Sequence, residues 1–283
     1  MVRLFPISDI HGNFVDVERY SKQSPFNMDM MEEIYKPVLH TGDDIILLAC
    51  GDIGERMQGV VWCERMLQVF PNLNICYTPG NHEFYGANLD LLLYDLHLMD
   101  VTSSNRLHIL DGVYRTSAIV RDSAMKPLCT VVGSTLWTDF NGGSAEVMNL
   151  AQRQMNDYNY ITSGNDNKKL KPARVLNLHY NMRKDMFKQF EKADKNLPLI
   201  AMSHHTPYMG IPHDGLHYCY HSDMTTEFNL ATRLPSYWFS GHTHVSEVHK
   251  EEFSCGEVNF ISNQVGYPHQ LATGFSLNCV LEV

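Results

Sequence analysis

The sequence predicts an α/β fold, because short apolar runs alternate along the chain with segments of helical pattern. Each run is rich in Ile, Leu, Val or aromatic residues and is stopped by Gly, Ser or Pro. A run of this kind is typical of a strand buried on both faces of a sheet. The five runs are VRLFPIS, DIILLAC, LNICY, LPLIAMS and SYWFS.

The segments between and after these runs complete the predicted architecture. Helical spacing of apolar residues is found in GVVWCERMLQVF and NLDLLLYDLHLM, whereas VYRTSAIV and LCTVVGSTLW are typical of strands. Residues 145–195 are mostly helical in pattern, and the mixed charges of ARVLNLHYNMRKDMFKQFEK predict a surface helix. The end of the chain alternates polar and apolar residues, which predicts short antiparallel strands.

The chain shows no internal repeat, low-complexity tract or linker that would divide it. A length of 283 residues is enough for one large core or at most two domains. We therefore predict a single domain over residues 1–283, with a helical insertion near residues 140–195.

Composition is that of an ordinary globular protein, with 44% hydrophobic and 19% charged residues. The start of the chain lacks the apolar run of a signal peptide, and no apolar segment is long enough to span a membrane, so we expect a cytoplasmic protein. The seven cysteines have no CxxC spacing and are expected to be free, mostly buried thiols. A net charge of -10 disfavours a nucleic-acid partner.

Polar side chains that can bind metal follow the end of each apolar run. In α/β sheets, the carboxyl ends of the strands form the edge where ligands bind. The residues are Asp9 and His11, Asp52, Asn81 and His82, His204 or His205, and His242 and His244. Carboxylate, imidazole and amide ligands suit Mn, Fe, Zn or a similar divalent ion. Because these ligands are too many for one ion, they predict two ions that share a carboxylate.

The spacing of these residues supports a metal centre. Asp9 and His11 are two residues apart, as are His242 and His244, and in an extended strand end such pairs point to the same side. A single Asp-x-His pattern recurs by chance, and a lone histidine at a strand end is usually structural. Five such patterns, each at the end of an apolar run, indicate a shared site.

The motifs DIHGN, CGDI, PGNHE, SHH and GHTH resemble the five ordered motifs of the calcineurin-like metallophosphoesterases. The resemblance extends from Asp9 to His244 and therefore covers nearly the whole chain. The stretches NHEFYG, GSTLWTDF, MNDY and NQVGYP further resemble a subgroup of small bacterial and phage-type members. The resemblance implies the family's four-layer α/β/β/α sandwich.

The resemblance also implies two divalent transition-metal ions, drawn from Mn, Fe, Zn and Ni, with Asp52 bridging them. The implied ligands of the first ion are Asp9, His11, Asp52 and His244. The implied ligands of the second ion are Asp52, Asn81, His204 and His242.

A separate role is implied for His82, which in the family is not a ligand. It faces the phosphate and protonates or stabilises the leaving oxygen, so it is the expected catalytic residue. Asn81, His82 and His205 are the expected contacts to substrate. Glu83 is expected to anchor the loop. For the adjacent pair His204 and His205, the family pattern favours His204 as the ligand and gives His205 a supporting or substrate-side role.

Several other polar residues have both a functional and a structural interpretation. Glu55 and Arg56 either correspond to the acidic and phosphate-binding residues of protein phosphatases or form a solvated loop. Three histidines spaced four apart form either a third metal site or part of a loop beside the active site; they are His213, His217 and His221. Five further residues either line the pocket or have only a structural role such as capping a helix; they are Trp137, Asp139, Asn156, Asp157 and Tyr158.

The predicted function is hydrolysis of a phosphate monoester or diester by attack of a hydroxide that bridges the two metal ions. The expected partner is a small phosphorylated molecule. A serine/threonine-type protein phosphatase is an alternative, although GDIGER departs from the GDxVDRG signature. A nucleic-acid phosphodiesterase should carry a basic, aromatic-rich extension, which the sequence lacks. A scaffold that has lost its metals is disfavoured because every implied ligand is present.

Overall fold

The computed structural model describes residues 2–14, 31–39, 44–208, 210, 214–267 and 270–283. The strands are β1 (Arg3–Ile7), β2 (Ile45–Ala49), β3 (Leu73–Tyr77), β4 (Leu107–Ile109), β5 (Ser117–Arg121), β6 (Pro127–Ser134), β7 (Thr162–Ser163), β8 (Lys168–Lys169), β9 (Leu199–Ser203), β10 (Tyr237–Ser240), β11 (Val248–Phe253), β12 (Gly256–Ser262), β13 (Gly266–Tyr267), β14 (Gln270–Leu271) and β15 (Leu281–Glu282). The helices are α1 (Met31–Leu39), α2 (Gln58–Val69), α3 (Leu89–Thr102), α4 (Phe140–Gly143), α5 (Ala145–Gln154), α6 (Asp157–Tyr160), α7 (Pro172–Lys192), α8 (His217–Tyr220) and α9 (Thr225–Leu230).

The first sheet has the strand order β15-β1-β2-β3-β4. Strands β1 to β4 are parallel, and β15 pairs antiparallel with β1 at the edge. In register, Ile7 pairs with Ala49, Ala49 with Tyr77, and Tyr77 with Ile109. The carboxyl ends of these strands are therefore level, and the loops that follow them lie side by side.

The second sheet has the strand order β11-β12-β10-β9-β6-β5. Its four inner strands are parallel, and β5 and β11 are antiparallel edges. Ser134 pairs with Ser203, and Met202 pairs with Phe239. The loops after β9 and β10, which carry the other predicted site residues, therefore share one edge of this sheet.

Three apolar layers separate four layers of structure. Leu47 and Ile75 of the first sheet pack with Trp62 of α2 and Leu93 of α3. Alternate residues of the first-sheet strands point to the opposite face, where they pack against the second sheet in a separate apolar cluster. Members of this cluster include Leu4, Ile46, Leu48, Val131, Ile200, Met202 and Phe239. A third cluster covers the other face of the second sheet and includes Val132, Ala201, Trp238, Met186, Phe190 and Phe228. This confirms the predicted α/β/β/α sandwich.

The longest helix among the described residues, α7, leads into β9 and has one buried face that includes Val175, Met182 and Phe190. The charge pattern predicts a surface helix. In the structure, the outer face of α7 is at the surface, whereas its inner face is buried. Helix α7 lies within the predicted insertion of residues 140–195 together with α4, α5, α6 and the β7–β8 hairpin. Within the described ranges, no helix has the length and apolar character needed to cross a membrane.

Among the elements that the sequence patterns missed are β4 and α1, and the start of β5 was misplaced. Strand β4 has only three residues, and helix α1 has a proline, Pro37, inside it, so neither gives a strong periodic signal. The predicted strand VYRTSAIV becomes regular only at Ser117. Before it, a turn is formed in which the Asp111 carboxylate accepts backbone hydrogen bonds from Val113 and Tyr114.

Candidate metal centre

Five of the seven predicted metal ligands have a backbone conformation that L-residues rarely adopt. Their φ values are 55° for Asp9, 50° for His11, 53° for Asp52, 74° for His242 and 54° for His244. Each such residue costs about 1–2 kcal/mol relative to an ordinary conformation. Strain of this kind persists where the surrounding structure enforces it, and it concentrates at functional sites.

The loops enforce these conformations through hydrogen bonds between neighbouring strand ends. The Asp9 backbone N–H donates to the Gly51 carbonyl, and the His11 N–H donates to the Asp52 carbonyl. The His242 N–H donates to both carboxylate oxygens of Asp9, at 3.1 and 3.0 Å. These bonds connect loops of both sheets, so the site depends on the two sheets being packed together.

One group of ligand atoms is formed by Asp9, His11 and His244. The Nε2 atoms of His11 and His244 are 3.0 Å apart, and His244 Nε2 is 3.4 Å from Asp9 Oδ1. Asp52 Oδ2 lies 3.9 Å from His11 Nε2 on the other side. Atoms that bind one ion at ~2.1 Å are separated by roughly 3.0–3.5 Å, so this group has nearly the spacing of a ligand set.

A second group surrounds His204. Its Nε2 is 3.0 Å from Asn81 Oδ1, 3.1 Å from His242 Nδ1 and 3.4 Å from Asp52 Oδ2. Its Nδ1 lies 2.9 Å from the Cys50 carbonyl, which can only accept a hydrogen bond. A proton on Nδ1 leaves the lone pair of the neutral ring on Nε2, directed at the group.

Asp52 is the residue that both groups share. Its Oδ2 faces His11 and His204, while its Oδ1 accepts the backbone N–H of His82 at 2.9 Å. The donor atoms are carboxylate, imidazole and amide atoms, which fit divalent ions such as Mn, Fe or Zn. The arrangement could hold two ions with Asp52 between them, and the assignment of individual ligands to each ion stays a prediction.

The electrostatics of the cluster favour cations. Burial alone would raise the pKa of Asp52, but His204, His82 and His11 lower it well below its ordinary value. Burial lowers the pKa of His11 to about 4 and also holds that of His242 well below its ordinary value. Although burial opposes protonation of His204, the charge of Asp52 raises its pKa to about 9. Ionised carboxylates thus lie beside the neutral imidazoles of His11 and His242, and their negative charge favours a cation, either a proton on His204 or a metal ion that replaces it.

Glu83 fixes the loops that follow β2 and β3. Its Oε2 accepts backbone hydrogen bonds from Asp52 and Gly80, at 2.9 and 2.7 Å. Its Oε1 accepts from Ile53 and Gly54, at 2.8 and 3.2 Å. The geometry agrees with the expected anchoring role, because all four bonds position the backbone around Asp52.

Glycine is required at Gly80 because the backbone approaches two of the predicted ligands closely. A Cβ atom at this position would lie 2.1 Å from Asp52 Oδ1 and 2.8 Å from His204 Cε1. Gly241 has a similar constraint, since its Cβ would lie 2.6 Å from Asp9 Oδ2. The glycines in these motifs therefore allow the loops to crowd around the site.

The comparison with known proteins gives the family. A family model for calcineurin-like phosphoesterases matches residues 3–246. The chain belongs to this family. Together with the histidine–aspartate groups, membership identifies a metal-dependent hydrolase of phosphoesters.

Two known proteins are similar to this calcineurin-like phosphoesterase. The "Uncharacterized protein L509" of Acanthamoeba polyphaga mimivirus is 24% identical in an alignment of 254 positions that covers 81% of this chain and 81% of that protein. A crystal structure of TT1561 from Thermus thermophilus is 14% identical, with a TM-score of 0.48 over 91% of this chain and 88% of that chain.

His82 lies at the mouth of the phosphoesterase site and is buried. Its ring stacks on Tyr85, with centroids 4.2 Å apart. Its Nε2 is 3.4 Å from the Tyr267 hydroxyl and 3.9 Å from Asp52 Oδ2. The ligand atoms of His82, His11 and Asp52 also lie close enough together to hold a metal ion. Measuring the metal content of a His82 variant therefore distinguishes a catalytic role from a role as a ligand.

His205 lies behind the predicted metal ligands of the phosphoesterase. It is buried, its Nδ1 is 3.3 Å from the Thr135 carbonyl, and its ring centroid is 4.1 Å from that of His242. It is not among the residues that line the cavity over the site. This position favours the supporting role, and a contact with substrate stays a prediction.

A cavity of about 410 Å³ opens onto the cluster. It is lined by Asp52, Asn81, His82, Tyr85, Gln154, Met155, Asn156, Tyr220, His221, His242, Thr243, His244, Tyr267 and Gln270. Of the residues with two interpretations, Asn156 and His221 therefore reach the cavity. Tyr158 and Trp137 are instead buried in the main core cluster, and Asp139 is also away from the cavity lining.

The remaining candidates have mainly structural contacts. Arg56 donates to the Gly86 carbonyl, and Glu55 accepts a hydrogen bond from Asn13. The rings of His217 and His221 stack with centroids 3.8 Å apart. His213 lies outside the described residues, so the third metal site remains a prediction. Within the described part of the chain, the groups of side chains that could hold a metal ion all lie in the cluster around Asp52.

Asp157, for which the sequence left two interpretations, supports a predicted ligand. Its Oδ1 accepts hydrogen bonds from Asn81 Nδ2 and from the Tyr85 hydroxyl, both at 2.8 Å. The amide group of Asn81 is thereby oriented with its oxygen toward His204. Asp157 begins α6, so a helix of the insertion positions a predicted ligand.

Replacing Asp157 with leucine is expected to weaken metal binding by about 10–100-fold, because loss of a residue that orients a ligand typically has this effect. Chelator competition on the purified variant measures the affinity directly. Tyr85→Phe is the comparison: it removes the other donor to Asp157 and a longer contact of 3.4 Å with Asn81, but it keeps the 2.8 Å bond between Asn81 and Asp157. Unchanged metal affinity in Asp157→Leu would show that Asn81 is oriented by other contacts.

Proposed function

We propose that this phosphoesterase hydrolyses a small phosphate ester that carries a single phosphoryl group, using two divalent cations. The observation that carries the proposal is the cavity of about 410 Å³ over the cluster. Its volume is in the range of pockets that bind small molecules. Asp52, Asn81, His82, His242 and His244 all contribute to its wall, so a phosphoryl group inside it would meet the ligands and His82 together.

When bound, two divalent ions activate a water molecule and neutralise charge on the phosphoryl oxygens. The protein residues supply the remaining parts of the reaction. The negatively charged carboxylate of Asp52 lies between the two groups of ligand atoms and is shared by them. Asn81 presents its amide oxygen because Asp157 fixes the orientation of the amide. His82 donates a proton to the departing oxygen in this proposal, and Tyr85 holds its ring by stacking.

The wall of the cavity supports a substrate of low negative charge. Among the described residues that line it, there is no lysine or arginine. Three tyrosines, Tyr85, Tyr220 and Tyr267, and the side-chain amides of Gln154 and Gln270 make up much of the wall beyond the cluster. A second phosphate group would therefore enter the cavity without a cationic partner, which costs free energy.

The contacts of Arg56 disfavour the alternative of a protein phosphatase. Its guanidinium group donates to the Gly86 carbonyl at 3.0 Å, and Arg56 is absent from the residues that line the cavity. A phosphate-binding arginine would have to present its donors to the substrate. We therefore favour a small molecule over a phosphoprotein.

The metal-loaded enzyme is expected to have a kcat/KM at least ~10-fold higher for a nucleoside monophosphate than for the corresponding triphosphate, because each unpaired charge in the cavity costs about 1 kcal/mol or more. Steady-state kinetics on purified protein measures the ratio. Gln154→Lys should narrow the ratio by adding a cation to the wall, whereas Gln152→Lys adds the same charge to α5 outside the cavity lining and should leave it unchanged. An equal or higher kcat/KM for the triphosphate in the wild-type protein would contradict the proposed selectivity.

A further inference from the structure

Helix α3 has a second apolar face that the rest of the described chain does not cover. Its inner face buries Leu89, Leu92, Leu93 and Leu96 against the first sheet. The outer face exposes four large apolar side chains, which are Leu91 (63% exposed), Tyr94 (49%), Leu98 (41%) and Val101 (61%). We call these four residues the α3 seam. None of them lines the cavity over the metal centre.

The spacing of the α3 seam is that of a helix-packing surface. Successive residues are three, four and three positions apart. These are the a and d positions of a heptad, which pack against a second helix. Isolated exposed apolar residues are common on protein surfaces, but four at a and d positions of one helix are a contiguous stripe.

Tyr114, on the loop between β4 and β5, extends the stripe. It is 49% exposed, and its ring centroid is 6.2 Å from that of Tyr94. Five large side chains, each about half exposed, present on the order of 500 Å² per chain, and two copies would bury twice that area before their polar rims add to it. This approaches the lower end of the ~1,200–2,000 Å² buried in specific interfaces.

We propose that the α3 seam binds the same seam of a second copy of this chain, with the two helices antiparallel. The three-four-three spacing is symmetric along the helix. A twofold axis at the level of position 96 therefore places each seam residue opposite a seam residue of the second copy. Leu91 then faces Val101 of the second copy, and Tyr94 faces Leu98. The antiparallel arrangement also brings opposite ends of the two helix dipoles together.

Sedimentation velocity over about 1–200 µM tests the proposal, since an interface of this size is expected to have a micromolar Kd. The wild-type chain should change from monomer to dimer over this range. Leu91→Lys and Val101→Glu should each be monomeric throughout. Mixing these two variants should restore a heterodimer, because Lys at 91 faces Glu at 101 in one pair while the other pair keeps its native Leu and Val.

Leu230→Lys is the control, because Leu230 is 77% exposed on the separate helix α9 and should leave the dimer intact. Circular dichroism and phosphoesterase activity confirm that each variant is folded. A wild-type chain that stays monomeric, or a dimer that survives both seam variants, would overturn the proposal. So would loss of the dimer in both variants without recovery on mixing, because the antiparallel register requires that recovery.

Discussion

Asp52→Asn is expected to lose both metal ions and to lower phosphoesterase activity by more than about 10³-fold, since several charge-stabilising contacts disappear together. Asp52 Oδ1 accepts the His82 backbone N–H, so an asparagine would keep its oxygen there. Its NH₂ group would then take the place of Oδ2, which faces both His11 and His204. The NH₂ group is neutral and would point its hydrogens toward the two metal positions, so it cannot bridge two cations.

Elemental analysis of protein equilibrated with excess Mn²⁺ or Zn²⁺ measures this effect. His11→Ala is the informative comparison, because it should weaken chiefly one of the two ions. Asp111→Asn is the matched control: Asp111 is also a buried carboxylate after a strand of the first sheet, but it accepts hydrogen bonds from the backbone of Val113 and Tyr114. If Asp52→Asn kept both ions at wild-type affinity, the bridging role would be wrong.

His82→Ala is expected to keep two ions and to lower kcat by roughly 10²–10⁴-fold, the usual range for general acid catalysis. The loss should depend on the leaving group. An alkoxide needs a proton as it departs, whereas a nitrophenolate needs little help. The rate on an alkyl phosphate should therefore fall much further than the rate on a nitrophenyl phosphate.

Added imidazole provides a control for this role, because a free proton donor should partly restore the rate on the alkyl phosphate. Metal analysis of the same sample is essential, since His82 Nε2 lies close to Asp52 and His11. Loss of an ion would make His82 a ligand. Equal slowing of both substrates would leave it only an electrostatic role toward the phosphoryl oxygens.

The sequence by itself determined the architecture of this phosphoesterase and predicted a set of metal donors. Strands buried on both faces leave continuous apolar runs, and parallel strands bring the residues after those runs to one edge. Local patterns alone therefore predicted Asp9, Asp52, Asn81 and His242 as donors, whereas the choice of His204 over His205 came from the family resemblance. The same reasoning failed for β4 and α1, because a three-residue strand and a helix containing proline carry little periodicity.

Only the tertiary structure decided how these residues are supported and what surrounds them. The bond from Asn81 to Asp157 joins residues 76 positions apart, and the position of His205 behind His242 depends on the packing of two loops. The lining of the cavity and the exposure of the outer face of α3 depend on which side chains are buried when the chain folds. Local patterns can identify a strand end or a helix face, but the contacts between distant segments depend on the packing of both sheets and their helices.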